Sequence, residues 1–172
     1  MLVLNMKRSS IIVAGSNTSG DGFINLIGGN NIFDLRDIKI LSHYYKVVFS
    51  LHDLWMLSKP PPLVLYKNKK QAKENAKLLI KKTGCDAVKL ESNKKNFVII
   101  NELVNSNIPV MGHIGYTPQF KNKFKIEGGT NQNAKKLLEE ALLIQKAGAF
   151  SIVLECISPK ASKLITNKIN KF

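Results

Sequence analysis

Asp86-Ala-Val-Lys-Leu-Glu91, Ile108-Pro-Val-Met-Gly-His-Ile-Gly-Tyr-Thr-Pro-Gln119 and Ser151-Ile-Val-Leu-Glu-Cys156 share one design, a short apolar run of strand length with Lys, Glu or His at its C-terminal side. In α/β folds the C-terminal ends of parallel strands gather the chemistry, so three such endings in a row point to one site. Lys89 and Glu91 flank Leu90, which on a strand puts their side chains on one face. Taken alone, these side chains also have plainer uses. Lys89 and Glu91 suit a structural ion pair, Glu155 a salt-bridging surface carboxylate, and His113 a satisfied core histidine.

Helical patterns alternate with these strands at short intervals, the signature of βα units around a parallel sheet. Ala72, Ala76, Leu79 and Ile80 recur at helical spacing among lysines, and Thr83-Gly84 supplies a stop. Asn93 can cap a second helix carrying Phe97, Ile100 and Val104. Ala134, Leu137, Leu138, Ala141 and Leu142 form the apolar face of a third, closed by Ala147-Gly148, and a last helix is expected near Pro159 to Lys168. The stretch from Gly115 to Asn133, with Gly128-Gly129, is a long loop of the kind that serves as a lid or binding segment.

Before Tyr66 the pattern weakens. Ser10 to Ala14 reads as a strand and Asp37 to Val48 as a helix. Pro60-Pro61-Pro62 removes backbone donors where the next parallel strand should enter the sheet. Residues 1–65 therefore stand apart as a divergent N-terminal segment from residues 66–172.

At 172 residues, 44% apolar and 22% charged, the chain is long enough for one domain with a real core. No apolar run approaches the roughly 18 residues that span a bilayer, and Met1 to Arg8 lacks the charge-then-apolar order of a signal peptide, so a cytoplasmic location is expected. Cys85 and Cys156 make no metal-type pair and read as small buried thiols beside strands. The net charge of +14 raises the question of nucleic acid. Yet Lys67, Lys69, Lys70, Lys73, Lys77, Lys81 and Lys82 spread along helix faces without interleaved aromatics, and Arg occurs only at Arg8 and Arg36. Neither nucleic acid nor membrane is an expected partner, while a basic surface suits small anionic substrates.

The motifs from Tyr66 to Ile169, Gly-His-Ile-Gly-Tyr-Thr-Pro-Gln above all, resemble those of ketopantoate hydroxymethyltransferase. The resemblance implies a (β/α)8 TIM-type barrel in which magnesium holds a keto acid. A glutamate removes a proton beside the carbonyl, and the enolate attacks the methylene carbon of 5,10-methylenetetrahydrofolate. On that basis Glu155 matches the general base, its proton affinity raised by partial desolvation. Lys89 matches the contact to the keto acid carboxylate and carbonyl, Glu91 the magnesium-associated carboxylate, and His113 a hydrogen-bonding residue of the substrate pocket.

The departures are as specific. Two further metal-binding aspartates of the family have no counterpart: Ser16 stands at the first position, with Asp21 the nearest substitute, and Pro60 at the second. Weak magnesium binding by the isolated chain is the consequence. The resemblance also implies an incomplete barrel, lacking the first strand and the last two, with open parallel edges. The expected function is hydroxymethyl transfer to 3-methyl-2-oxobutanoate giving 2-dehydropantoate, weak or absent in a fragment. The partners are the keto acid and the folate, with homo-oligomers if the site is intact. The alternative is a noncatalytic subunit or interaction module that assembles with a complete paralogue. A barrel lyase acting on phosphoenolpyruvate-type substrates is disfavoured by the same motifs.

Overall fold

The computed structural model describes residues 68–92, 97–117 and 123–169 in full, together with the strand backbones of Leu2–Asn5, Ile11–Val13, Gly22–Leu26 and Lys46–Ser50. Those four strands are β1 to β4. They are followed by α1 (Lys69–Thr83), β5 (Ala87–Glu91), α2 (Phe97–Asn105), β6 (Val110–Gly115), α3 (Asn131–Lys146), β7 (Ser151–Glu155) and α4 (Pro159–Lys168).

The helices start and stop where their caps dictate. The Asn68 side chain accepts from Gln71 N at the head of α1, Thr130 from Asn133 N at α3, and Ser158 from Ala161 N at α4. Gly84 ends α1 in the left-handed region at φ 71°, where its N–H reaches the Ile80 carbonyl. Inside α1 the buried face is Ala72, Ala76, Leu79 and Thr83, one turn apart, while Ile80 is only partly buried. Two faces differ from the sequence expectation. In α2 the buried residues are Ile99, Ile100 and Leu103 rather than Phe97 and Val104, and in α3 Ile144 takes the place of Leu142, which is exposed. Both helices are apolar on more than one side, so packing chooses among the candidate stripes.

The strands form one sheet in the order β1-β7-β6-β5-β4-β3-β2. From β2 to β7 every neighbouring pair is parallel and follows chain order. Residues of α1 to α4 share one core with Val88, Leu90, Val110, Ile114, Ile152 and Leu154, so the described helices cover a single face. Sequential parallel order with helices on one face is the winding of a barrel wall, whereas doubly wound sheets reverse their order and carry helices on both faces.

The N-terminal third departs from expectation in two ways. A strand does precede Ile11, but β1 runs antiparallel against the edge of β7, pairing Leu2 with Leu154 and Asn5 with Ser151. It covers that edge instead of opening the parallel series. The expected helix from Asp37 to Val48 ends in strand, because Lys46–Ser50 forms β4 and lies beside β5. Val47, Val48 and Phe49 are β-branched or aromatic in succession, which favours the extended chain. Its earlier part, Asn93, Ser16, Asp21 and Pro60 lie outside the described residues. No described helix is long and apolar enough to cross a membrane.

Candidate functional site

Alternation along the strands divides the sheet into two chemistries. Val88 and Leu90 turn to the helices, which leaves Ala87, Lys89 and Glu91 on the opposite, inner face. Parallel register continues that face across the sheet. Lys89 pairs with Met111 and Met111 with Ser151; Glu91 pairs with His113 and His113 with Val153; Gly115 pairs with Glu155. The inner face has its own small apolar cluster of Ala87, Met111 and Val153, backed by Phe150. Around it stand charged and polar side chains in unusual burial, since Lys89, Glu91 and His113 are each 1% exposed.

Charges are costly in such a place unless they serve each other or a ligand. Here the inner face brings opposite signs together. His113 Nε2 lies 3.0 Å from Glu155 Oε2, with the Glu155 side chain 28% exposed at the mouth of the strands. The distance is that of an ion pair, although the ring N–H does not line up as a full hydrogen bond, and neither imidazole nitrogen has such a partner among the described residues. The imidazole still holds the Glu155 carboxyl below its ordinary value. Burial pushes the other way and loses, and the charges of His113 and Lys89 add to the lowering. This reverses the expectation that desolvation would raise Glu155. The carboxylate is ionised and ready to accept a proton at neutral pH, but it is a weaker base than an isolated buried glutamate.

The lowered value carries a pH dependence of stability. A carboxyl depressed in the folded state contributes stability above its unfolded value, here the ordinary 4.5, and loses it as pH falls through the folded value beneath. The urea midpoint of the wild type should therefore exceed that of Glu155→Gln by a constant margin near neutrality. Between about pH 5 and about pH 3 that margin should shrink. A margin that grows on acidification would mean that the His113 contact does not stabilise the carboxylate.

The chain beyond the strand ends is pinned over the site. Tyr116 N donates to the Glu155 carbonyl, Glu127 N to Cys156, and Ser158 N to Glu127, each at 2.8 Å. Ser158 Oγ also donates to the Gly128 carbonyl at 2.7 Å. The long loop expected from Gly115 to Asn133 is thus anchored at Glu127 and Gly128, close to Glu155. Phe124 and Ile126, just before the anchor, are exposed, and the Phe124 ring meets Tyr116 edge-on at 5.3 Å. Cys156 follows Glu155 at φ 51°, uncommon for a residue with a side chain. It is half-buried rather than buried, unlike Cys85, and neither cysteine forms a disulfide among the described residues.

Of the four residues singled out by sequence, His113 and Glu155 touch, Glu91 is the register neighbour of His113, and Lys89 is near enough for its charge to act on Glu155. Ser151 was not anticipated. It is fully buried on the same face, and its Oγ has no hydrogen-bond partner among the described residues. The signal was present in Ser151-Ile-Val-Leu-Glu155, where spacings of two and four put Ser151 and Val153 on the face of Glu155. For a metal, no three His, Cys, Asp or Glu side chains gather among the described residues.

A family model described as ketopantoate hydroxymethyltransferase matches residues 27–171. A 3-methyl-2-oxobutanoate hydroxymethyltransferase of Clostridioides difficile (strain 630) is 40% identical over 146 residues, which is 83% of this chain and 53% of that protein. The protein of the same name from Pelagibacter ubique (strain HTCC1062) is 46% identical over 104 residues, 60% of this chain and 40% of its own. That of Francisella tularensis subsp. novicida (strain U112) is 45% identical over 112 residues, 63% and 42% respectively. The chain spans about half the length of the curated relatives it matches.

Proposed function

The chain belongs to the ketopantoate hydroxymethyltransferase family, and from that premise we propose that it carries the proton-abstraction half of hydroxymethyl transfer to 3-methyl-2-oxobutanoate. The product is 2-dehydropantoate, the donor 5,10-methylenetetrahydrofolate, and the scaffold the wall of a (β/α)8 barrel. One observation supports this reading most. An ionised Glu155 stands 3.0 Å from His113 on a sheet face that also buries Lys89 and Glu91.

In this proposal Lys89 binds the keto acid's carboxylate and carbonyl, which concentrates positive charge where the enolate oxygen develops. Glu155 Oε2 takes the proton from the carbon beside the carbonyl, and the electron pair of that C–H bond passes into the enolate. His113 holds the Glu155 carboxylate in place and donates to the substrate. The enolate carbon then bonds to the donor's methylene carbon, whose two bonds to folate nitrogens both break, one replaced by the new carbon–carbon bond and the other by a bond to the oxygen of water. The two nitrogens take up the proton held by Glu155 and the proton released by that water.

Magnesium, which the family implies, takes few carboxylates and keeps its waters. Glu91 is placed to offer it an oxygen, but the described residues add no cluster around that carboxylate, so they do not fit a metal site by themselves and no step is drawn through the ion.

The test is solvent deuterium exchange at carbon 3 of 3-methyl-2-oxobutanoate, followed by proton NMR. It requires no folate and so isolates the step assigned to these residues. Exchange above the uncatalysed rate is expected. The length of the chain relative to its relatives favours a second assay with a full-length relative added. Exchange in that mixture above the rate of the relative alone, with none from the chain by itself, would favour the subunit role, and no exchange from the chain with no gain in the mixture would remove the reading.

A further inference from the structure

Phe124 and Ile126 are the most exposed large apolar side chains among the described residues, at 71% and 62%, and proton abstraction makes no use of either. A lone apolar side chain at a surface needs no explanation, but a group of them beside a reacting carboxylate does. Tyr116 joins the group, its ring centroid 5.3 Å from that of Phe124 at an interplanar angle of 64°. An edge-to-face contact uses at most one face of each ring, so Phe124 keeps a ring face open to solvent. Two lysines alternate with the apolar pair in Lys123-Phe-Lys-Ile126, and all four residues are exposed.

The group is tied to the strand that carries the base. Tyr116 N donates to the Glu155 carbonyl, and Glu127 N, the residue after Ile126, donates to the carbonyl of Cys156. The backbone on both sides of the aromatic pair is therefore held within one residue of Glu155. Access to the reacting centre lies on the same side. Lys89, Glu91 and His113 are sealed among the strands, and of the four site residues only Glu155 reaches solvent. A second reactant has to meet the enolate from there.

We propose that Phe124, with Tyr116 at its edge, is the stacking platform for the ring system of the reduced folate donor, and that Lys123 and Lys125 face the carboxylates of its glutamate tail. The proposal rests on the hydroxymethyl transfer reading, which supplies the donor but not its place on the protein. The carbon transferred by this donor is held between a pteridine and an aminobenzoyl group, so a flat ring lies next to the bond being formed. Such a ring calls for an aromatic face, and the anionic tail beyond it calls for cations at the solvent edge. The keto acid is small and aliphatic and has no use for an aromatic face. A second copy of the chain is a poorer occupant, because a two-fold contact would bring Lys123 and Lys125 against their own counterparts.

The experiment is a calorimetric titration of the full chain with 5-formyltetrahydrofolate, an analogue that transfers no methylene group, with and without 3-methyl-2-oxobutanoate. Phe124→Ala should bind it about tenfold more weakly, the usual loss when an aromatic platform is removed from a base-like ring, and Phe124→Trp at least as tightly as the wild type. Joint replacement of Lys123 and Lys125 by glutamine should weaken it about fivefold, while a tetrahydropterin without the glutamate tail stays within about twofold. Leu142→Ala, which removes an exposed apolar side chain from α3, should bind as the wild type does. If circular dichroism shows Phe124→Ala unfolded, Phe124→Leu makes the same comparison, since it keeps apolar bulk without a ring face. Equal affinity in the wild type and the ring-less variant overturns the inference. So does a wild-type dimer in sedimentation that the variant dissociates without a change in affinity, because a second copy then covers the patch. Deuterium exchange into the keto acid needs no folate and separates the two readings. Exchange without binding of the analogue overturns the platform alone, and binding without exchange overturns the proton-abstraction step alone.

Discussion

Replacing Glu155 with glutamine should lower deuterium exchange at carbon 3 of 3-methyl-2-oxobutanoate by at least about 100-fold, the usual contribution of a positioned general base. The amide keeps the shape of the carboxylate and can still face His113, but it has no affinity for a proton at neutral pH. Because the acid's own charge is met by Lys89, its affinity should stay within about threefold of the wild type. This division matters, since a merely structural Glu155 would change binding and stability together without selectively removing exchange. Undiminished exchange in an active preparation would falsify the base assignment. His113 and Lys89 hold Glu155 ionised, so wild-type exchange should persist at pH values where an isolated buried glutamate would already be protonated.

The direction of the Glu155 shift shows where sequence runs out. Spacing alone reveals that Lys89 and Glu91 share a face, because the strand period is two whatever surrounds it. It cannot weigh burial of Glu155 against the approach of His113, which comes from a strand more than 40 residues away. The helices α1 and α4 were legible because caps and periodicity agree there: Asn68 and Gly84 bracket the first, Ser158 and Pro159 open the second. Around β4 the local signals conflict. Ile38, Leu41, Tyr45 and Val48 keep helical spacing and extend that pattern into Val47-Val48-Phe49, whose composition favours a strand. The docking of β1 on β7 joins segments about 150 residues apart, and Leu-Val-Leu-Asn carries no local mark of its partner. Ser151 was overlooked for a different reason, since attention to strand ends passes over a polar residue at a strand's start.

The largest loss of stability from a single methyl group should come at Gly115. This residue closes β6 in register with Glu155 and has φ +98°, where a side chain is strained whatever the space around it. A Cβ there would fall on the Glu155 carbonyl oxygen and within 2.7 Å of Ile157 Cγ1. Backbone cannot swing aside as the end of a flexible side chain can. That same oxygen accepts the Tyr116 N–H at 2.8 Å, so relief by rotating φ would break the bond that ties the following loop to β7. The alternative relief, separating β6 from β7, would draw His113 away from Glu155. Gly115→Ala should therefore cost about 2–4 kcal/mol, from roughly 1 kcal/mol of left-handed strain and about 1–3 of overlap. Exchange should fall as well, because the pair that performs it straddles the seam. Gly129→Ala is the control: nothing lies within 4 Å of its added Cβ, and its stability should stay within about 0.5 kcal/mol of the wild type. Equal urea midpoints for the two variants would mean that β6 and β7 do not close against each other at Gly115, and the proximity of His113 to Glu155 would lose its structural basis.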